Sequence, residues 1–430
     1  MVYTEGEERT QYFVRNIRVE FGTTLVHSRK ISIRAMIEME VGCENLIEEE
    51  TAVDLESSAS IYKKQKPVNL LKLHTAKKDT YRIKEEITIP GTKESIGQVL
   101  LTDITGRKLE VRAAQDELLL RGELQIFCMY LSEEGKTDWL EQSVPYEGRI
   151  ECSGATEGMY YDVQHALEDT LADVRMDEDG EMRIIGIEGT VSLRINLYEE
   201  EELNLLEDLY SLEQKVSYQT REAVYEELLL QNQSKCKIVE NLSLPELKDD
   251  VLQICHSSGS VQIEHVETRA EKQGGILIEG ILHVSFLYLK ADDALPFGNW
   301  QGMVPFSYLL ECPDMPKDVR YQLSNRVEQI SVTMTGSDSV EVKAVLDFDV
   351  FLRKEVPMQV ITEVSLEETD REELAKKPGI VGYMVKSGDD LWTLAKQYMT
   401  TEESIRQINH LENGKIKPGD KLIICKEIGM

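Results

Sequence analysis

Ile187-Glu188-Gly189-Thr190-Val191-Ser192-Leu193-Arg194-Ile195 alternates polar residues with residues that are apolar or glycine at every step. A half-buried antiparallel strand produces that period of two, because successive side chains leave opposite faces of the pleat. Met182-Arg183-Ile184 and Val340-Glu341-Val342-Lys343-Ala344-Val345 repeat the pattern. Asp179-Gly180 and Gly336-Ser337 lie between paired runs, where a hairpin needs residues tolerant of positive φ. The fold class that follows is mainly β, built of small meanders. One short helix is predicted over residues 162–174.

The pattern recurs at long range. Glu86-Ile87-Thr88-Ile89-Pro90 leads to Leu119-Leu120-Arg121-Gly122-Glu123-Leu124, then Cys128-Met129-Tyr130-Leu131, then Val144-Pro145-Tyr146. Leu242-Ser243-Leu244-Pro245 leads in the same order to Ile278-Glu279-Gly280-Ile281-Leu282, Phe286-Leu287-Tyr288-Leu289 and Val304-Pro305-Phe306, at separations of 155, 158 and 160. A second half-unit occurs three times at an interval of 154: Ile31-Ser32-Ile33 before Ile185-Gly186-Ile187, Asp54-Leu55 before Asp208-Leu209, and Ser211-Leu212 before Ser365-Leu366. Self-similarity of this kind resets the boundaries of every unit. The division expected is a partial unit (second half only) over 10–80, full units over 81–225 and 226–368, a linker over 369–379, and a tail module over 380–427. Each full unit is expected to be a sandwich or open barrel. The lone meander at the front has nothing of its own to pack against, so it either docks on the next unit or belongs to a longer chain.

Composition narrows the function. With 41% apolar and 30% charged residues the 430-residue chain is an ordinary globular sequence. The net charge of −31 opposes nucleic acid and anionic membranes, whose phosphates an acidic surface repels. Residues 380–427 hold seven basic and seven acidic side chains, so the excess acid lies upstream. The longest apolar-rich run, Ile276 to Leu289, is broken by Glu279 and His283 and is too short to cross a bilayer, so no integral membrane protein is expected. The first eleven residues lack a basic start and an apolar stretch, and the chain as given is expected to stay in the cell that makes it. Seven scattered cysteines with no C-x-x-C pair read as buried, reduced thiols. Cys255-His256 with His265 is the only loose metal-type cluster, and ordinary strand positions explain each member. No nucleophile with its base, phosphate cradle or metal constellation is visible, so neither catalysis nor a cofactor is expected.

In the tail module, Tyr383-Met384-Val385-Lys386 reads as a short strand and Ser387-Gly388-Asp389-Asp390 as a turn ending in helix-capping chemistry. Leu391, Leu394, Ala395 and Tyr398 follow at helical spacing. Thr400-Thr401-Glu402-Glu403 is expected to open a second helix as a capping box, with Ile405, Ile408 and Leu411 on its inner face. Asn413-Gly414 closes it, Pro418-Gly419 makes a turn, and Leu422-Ile423-Ile424 is the returning strand. The predicted order is strand, helix, helix, strand, and the module is expected to fold alone.

The string Tyr383-x-Val385-Lys386-x-Gly388-Asp389-x-Leu391-Trp392-x-Leu394-Ala395, continued by Asn409-x-Leu411 and Ile416-Lys417-Pro418-Gly419-x-x-Leu422, closely resembles the LysM family. The resemblance implies a shallow groove for glycans containing N-acetylglucosamine, such as peptidoglycan. Its walls on this chain are Ser387, Gly388, Asp389, Asp390 and Leu391 on one side, with Asn413, Lys415, Ile416, Lys417 and Pro418 on the other. The chain departs from the family's common residues at Asp390, where Thr is usual, and at Met399, where Gly is usual.

Tandem repeats with this signature ahead of a single LysM module resemble the SipL-like spore-coat morphogenesis proteins, which share the SPOCS repeat. What this resemblance implies is a non-catalytic scaffold in endospore formation, in the mother-cell cytoplasm at the forespore surface. Its LysM module would bind a morphogenetic protein, an ATPase of the SpoIVA type. The alternative is a peptidoglycan-binding protein of the cell wall or spore cortex.

Overall fold

The computed structural model describes residues 10–45, 47–48, 52–248, 250–270, 272, 274–290, 296–368, 378–411 and 415–427. Strands dominate. After a hairpin of β1 (Thr10–His27) and β2 (Lys30–Asn45) come β3 (Ile61–Thr88), β4 (Ile96–Ala114), β5 (Glu117–Ser132), β6 (Thr137–Glu151), β7 (Tyr160–Met176) and β8 (Met182–Ser211). The same series then repeats as β9 (Gln214–Ser243), β10 (Val251–Arg269), β11 (Gly275–Lys290), β12 (Phe297–Glu311), β13 (Val319–Met334) and β14 (Ser339–Glu368).

Each series makes two three-stranded sheets. The first is a meander, β4-β5-β6 or β10-β11-β12. The second, β3-β8-β7 or β9-β14-β13, places the strand that opens the series beside the strand that ends it. The apolar faces of the two sheets meet in one core. In the first series Leu118, Leu124, Ile126 and Tyr130 of the meander pack with Ile83, Ile185, Leu193 and Ile195 of the other sheet. In the second, Ile276, Leu282 and Phe286 pack with Val342, Leu346 and Phe348. These are open sandwiches rather than closed barrels.

The repeat signature has a physical meaning. Gly122 on β5 lies opposite Tyr146 on β6, and Gly280 on β11 lies opposite Phe306 on β12. A methyl on Gly122 would stand 2.5 Å from the Tyr146 ring, and one on Gly280 would stand 2.3 Å from the Gln262 carbonyl oxygen and 2.9 Å from the Phe306 ring. Glycine thus makes room for the aromatic ring of the next strand. Pro145 and Pro305 beside those rings sit on β6 and β12, edge strands of their sheets, where proline's missing N–H does least harm.

The helix expected over 162–174 is part of strand β7. Val163, His165 and Leu167 face Ile195, Leu193 and Val191, and Ala172 and Val174 face Ile187 and Ile185. A bulge between Glu168 and Leu171, with Asp169 at φ +51°, shifts the alternation by one residue and imitates helical spacing. Asp179-Gly180 and Gly336-Ser337 do lie between paired strands. Cys128, Cys152, Cys236, Cys255 and Cys312 are buried, whereas Cys43 is exposed. Among the described residues no helix is long and apolar enough to cross a membrane.

The chain divides into two compact units. One contains Met1–Leu46, Leu71–Glu200 and Leu228–Lys354; the other contains Ile47–Leu70, Glu201–Glu227 and Glu355–Met430. In the first unit His256 of β10 stacks on the Phe127 ring of β5 at 4.2 Å. Its Nε2 lies 2.9 Å from Asp103 of β4 and its Nδ1 3.5 Å from Glu141 of β6. Burial opposes the imidazolium, but the two carboxylates outweigh it and raise His256 to about 8.

Two outcomes are expected. Gly280→Ala should destabilise the fold by about 1–3 kcal/mol, and more than Gly122→Ala, because a backbone carbonyl moves less readily than a ring; thermal melts of both variants check the ranking. For His256, the raised value makes its contribution full below pH 6.5 and lost as pH passes about 8. The melting-temperature gap between the native chain and His256→Gln should therefore shrink between pH 6 and pH 9, by the equivalent of about 2 kcal/mol.

Candidate functional site

The tail module has the expected order. β15 (Ile380–Met384) pairs antiparallel with β16 (Lys421–Cys425), and between them lie α1 (Leu391–Tyr398) and α2 (Glu402–Ile408). Asp390 caps α1 by accepting from the Thr393 N–H at 2.6 Å. Met399 ends that helix in the left-handed region at φ 55°, which explains why the family favours glycine there. The second cap differs from the expected capping box. Thr401, not Thr400, accepts from the Ser404 N–H, and Glu403 turns outward to Gln407. Thr400 is fully buried.

Two aspartates shape the groove loops. Asp389 Oδ2 accepts from the Lys386 N–H and the Tyr383 hydroxyl, each at 2.8 Å. Asp420 accepts from the Lys417 N–H at 2.8 Å. Val385 joins the loops through backbone bonds to Gly419 and Asp420. Gly388 and Gly419, at φ +93° and +95°, supply the left-handed positions. The Asn409 side chain fastens the end of α2 to β16 through both the N–H and the carbonyl of Ile423.

The wall residues are unequal. Ser387, Gly388, Asp390, Lys415, Lys417 and Pro418 are exposed, Asp389 is half-buried, and Leu391 belongs to the module's core. Ile416, expected beside the groove, packs against that core. Asn413 lies outside the described residues. Lys386 and Lys421 are exposed with Lys415 and Lys417, which gives the loop end a basic edge.

A contact that the motif does not announce lies on α1. Trp392 donates its indole N–H to Asp208 at 2.8 Å, and Lys396 and the Tyr218 hydroxyl also donate to that carboxylate. Burial alone would raise Asp208, but these donors together hold it below the ordinary carboxylate value. Beside it, Tyr210 meets Trp392 edge-on at 4.9 Å, stacks on Tyr62 at 5.0 Å, and donates to the Thr400 carbonyl at 3.0 Å. Lys64 pairs with Asp390 at 3.6 Å. Tyr210 and Leu212 are therefore part of the module's core cluster. Trp392 is thus a half-buried anchor. The one available signal was Asp208-Leu209, which recurs from Asp54-Leu55.

Family models match three stretches. The LysM domain model covers residues 383–424, and the model described as SipL, SPOCS domain covers 95–175 and 250–335. The two SPOCS stretches begin at the interval of the internal repeat. No curated protein and no solved structure matches the chain. SPOCS repeats followed by one LysM domain are the arrangement of a SipL-like protein, and this chain has it. Both domain types are binding modules, and the SPOCS type is a sporulation domain.

Asp208→Asn should weaken the docking of α1, because the half-buried Trp392 and Lys396 donors lose a charged acceptor worth roughly 1.5–3 kcal/mol. The expected readout is a shifted Trp392 indole N–H resonance and earlier melting. Asp54→Asn, at the equivalent repeat position, should leave that resonance in place.

Proposed function

We propose that this SipL-like chain is a non-catalytic scaffold of endospore formation that holds an acidic protein surface against the loop end of its LysM module. A morphogenetic ATPase of the SpoIVA type at the forespore surface, in the mother-cell cytoplasm, fits that role. The observation that carries the reading is the engagement of the module's three aromatic rings. Trp392 is held by Asp208 and Tyr210, and Tyr383 and Tyr398 pack on each other at 5.7 Å. A sugar ring binds best on a free aromatic face, and the exposed walls offer Ser387, Gly388, Asp390 and Pro418 with the lysines instead. The basic edge of Lys386, Lys415, Lys417 and Lys421 suits an acidic partner, whose approach it steers. Asp390 adds a carboxylate that a neutral glycan does not require.

The full chain should retain a SpoIVA-type protein from sporulating cells and pellet weakly with purified peptidoglycan. Lys415→Glu with Lys417→Glu should lower the protein affinity at least tenfold without moving the melting temperature, and raised salt should mimic the variant. Ile416→Asp is a poor probe, since Ile416 packs on the core. Strong pelleting that N-acetylglucosamine oligomers compete away, with no protein retained, would favour the glycan reading.

A further inference from the structure

The two sandwiches border one cavity, and each presents to it a polar residue from an inward strand position. β7 ends the sheet β3-β8-β7, and β13 ends the sheet β9-β14-β13. Their inward positions run Val163, His165, Leu167 and Leu323, Asn325, Val327. These lie opposite Ile195, Leu193, Val191 of β8 and Val350, Phe348, Leu346 of β14. The β8 and β14 residues are separated by 155 in every case, so His165 and Asn325 hold the same place in the two repeats. Their apolar neighbours on β7 and β13 pack against the cores. The alternation of each strand calls for an apolar side chain between them, and both repeats have a polar one.

A cavity of about 840 Å³ lies within the first compact unit, between β4 and β7 of one repeat and β10 and β13 of the other, and His165 and Asn325 both line it. It reaches the first core, where Leu109, Tyr146 and Val191 form part of its wall. A second cavity of about 650 Å³ shares Leu109, His165 and Arg326 with it. Hydrogen-bonding capacity along the larger cavity is unused. Among the described residues Gln164, His165 and Asn325 make no hydrogen bond. Gln322 Oε1 and Arg326 Nε are buried without a hydrogen-bond partner, although the rest of the Arg326 guanidinium pairs with Asp347 at 2.5 Å and Asp349 at 2.8 Å. Burial, with the Arg326 cation nearby, pushes His165 down to about 4, so its imidazole is neutral and can donate from one nitrogen and accept at the other. Buried groups left in this condition destabilise the fold, and a ligand that completes their hydrogen bonds offsets that cost.

The free groups define what can occupy the cavity. An anion would meet a neutral imidazole, the Gln322 oxygen and an arginine already held by two carboxylates, with Glu40 and Glu264 also in the wall. A cation would leave the Arg326 and imidazole donors unmatched. A hydroxyl donates and accepts at once, as the imidazole and the amides of Gln164 and Asn325 do. We infer that this cavity binds an uncharged, hydroxyl-rich small molecule, a mono- or disaccharide or a similar polyol, held by His165 from one repeat and Asn325 from the other. Leu109, Tyr146 and Val191 supply the apolar wall for its C–H faces. The volume falls in the range of about 300–1,000 Å³ common to small-molecule sites.

The test uses the full chain with glucose, trehalose and sucrose, none of which carries the N-acetyl group that a LysM groove recognises. At least one of them should raise the melting temperature saturably and shift the His165 imidazole resonance. His165→Leu with Asn325→Leu should weaken that sugar at least tenfold, whereas His165→Gln, which keeps a donor and an acceptor, should hold it within about threefold of the native chain. The double leucine variant should melt no earlier than the native chain, because leucine continues the apolar run of both strands. Earlier melting would make the pair structural and overturn the inference. So would the absence of any sugar binding, undiminished binding by the double variant, or tighter binding of inorganic phosphate or ethylamine at His165 than of every sugar, which would make this a site for charge.

Discussion

A three-stranded sheet with one apolar face is not stable in water until another sheet covers it, and this chain is organised by that requirement. In each full repeat the cover is a meander whose Gly122 or Gly280 opens space for Tyr146 or Phe306. The strand that begins a repeat returns to flank the strand that ends it, so every repeat closes on itself in both face and edge. The front hairpin has the same alternation, with its apolar face exposed among the described residues.

A different constraint holds the LysM module. Asp208 is a carboxylate largely removed from water, which is costly unless several donors converge on it. Trp392, Lys396, Tyr218 and the Leu209 N–H do so. α1 is thereby committed to its own chain, with the Trp392 indole N–H already engaged by Asp208. The module packs on the segment that holds Asp208 and Tyr210, and the linker expected over 369–379 lies outside the described residues but for its last two.

The strands and the repeat were legible in the sequence because period-two alternation follows directly from half-burial, and three copies of it align. β7 was misread over 162–174 because the bulge at Glu168–Leu171 breaks the alternation where a helix would also break it. The LysM order was legible because caps and turns are local chemistry; the capping box failed by one residue because two adjacent threonines can each serve. The Asp208 contact was not legible. It joins residues 184 positions apart, and nothing local distinguishes a carboxylate that meets an indole from Asp54, which bonds only its neighbours Leu55 and Lys63 among the described contacts.

Charge separates the surfaces that associate from those that do not. The hairpin and the tail module are each close to neutral, so the whole acidic excess lies on the rest of the chain. Repeats of one strong sign repel their own kind, and salt screens that repulsion at separations beyond about 10 Å. Two places of different chemistry lack that excess: the exposed apolar face of the front hairpin and the basic loop edge of the tail module.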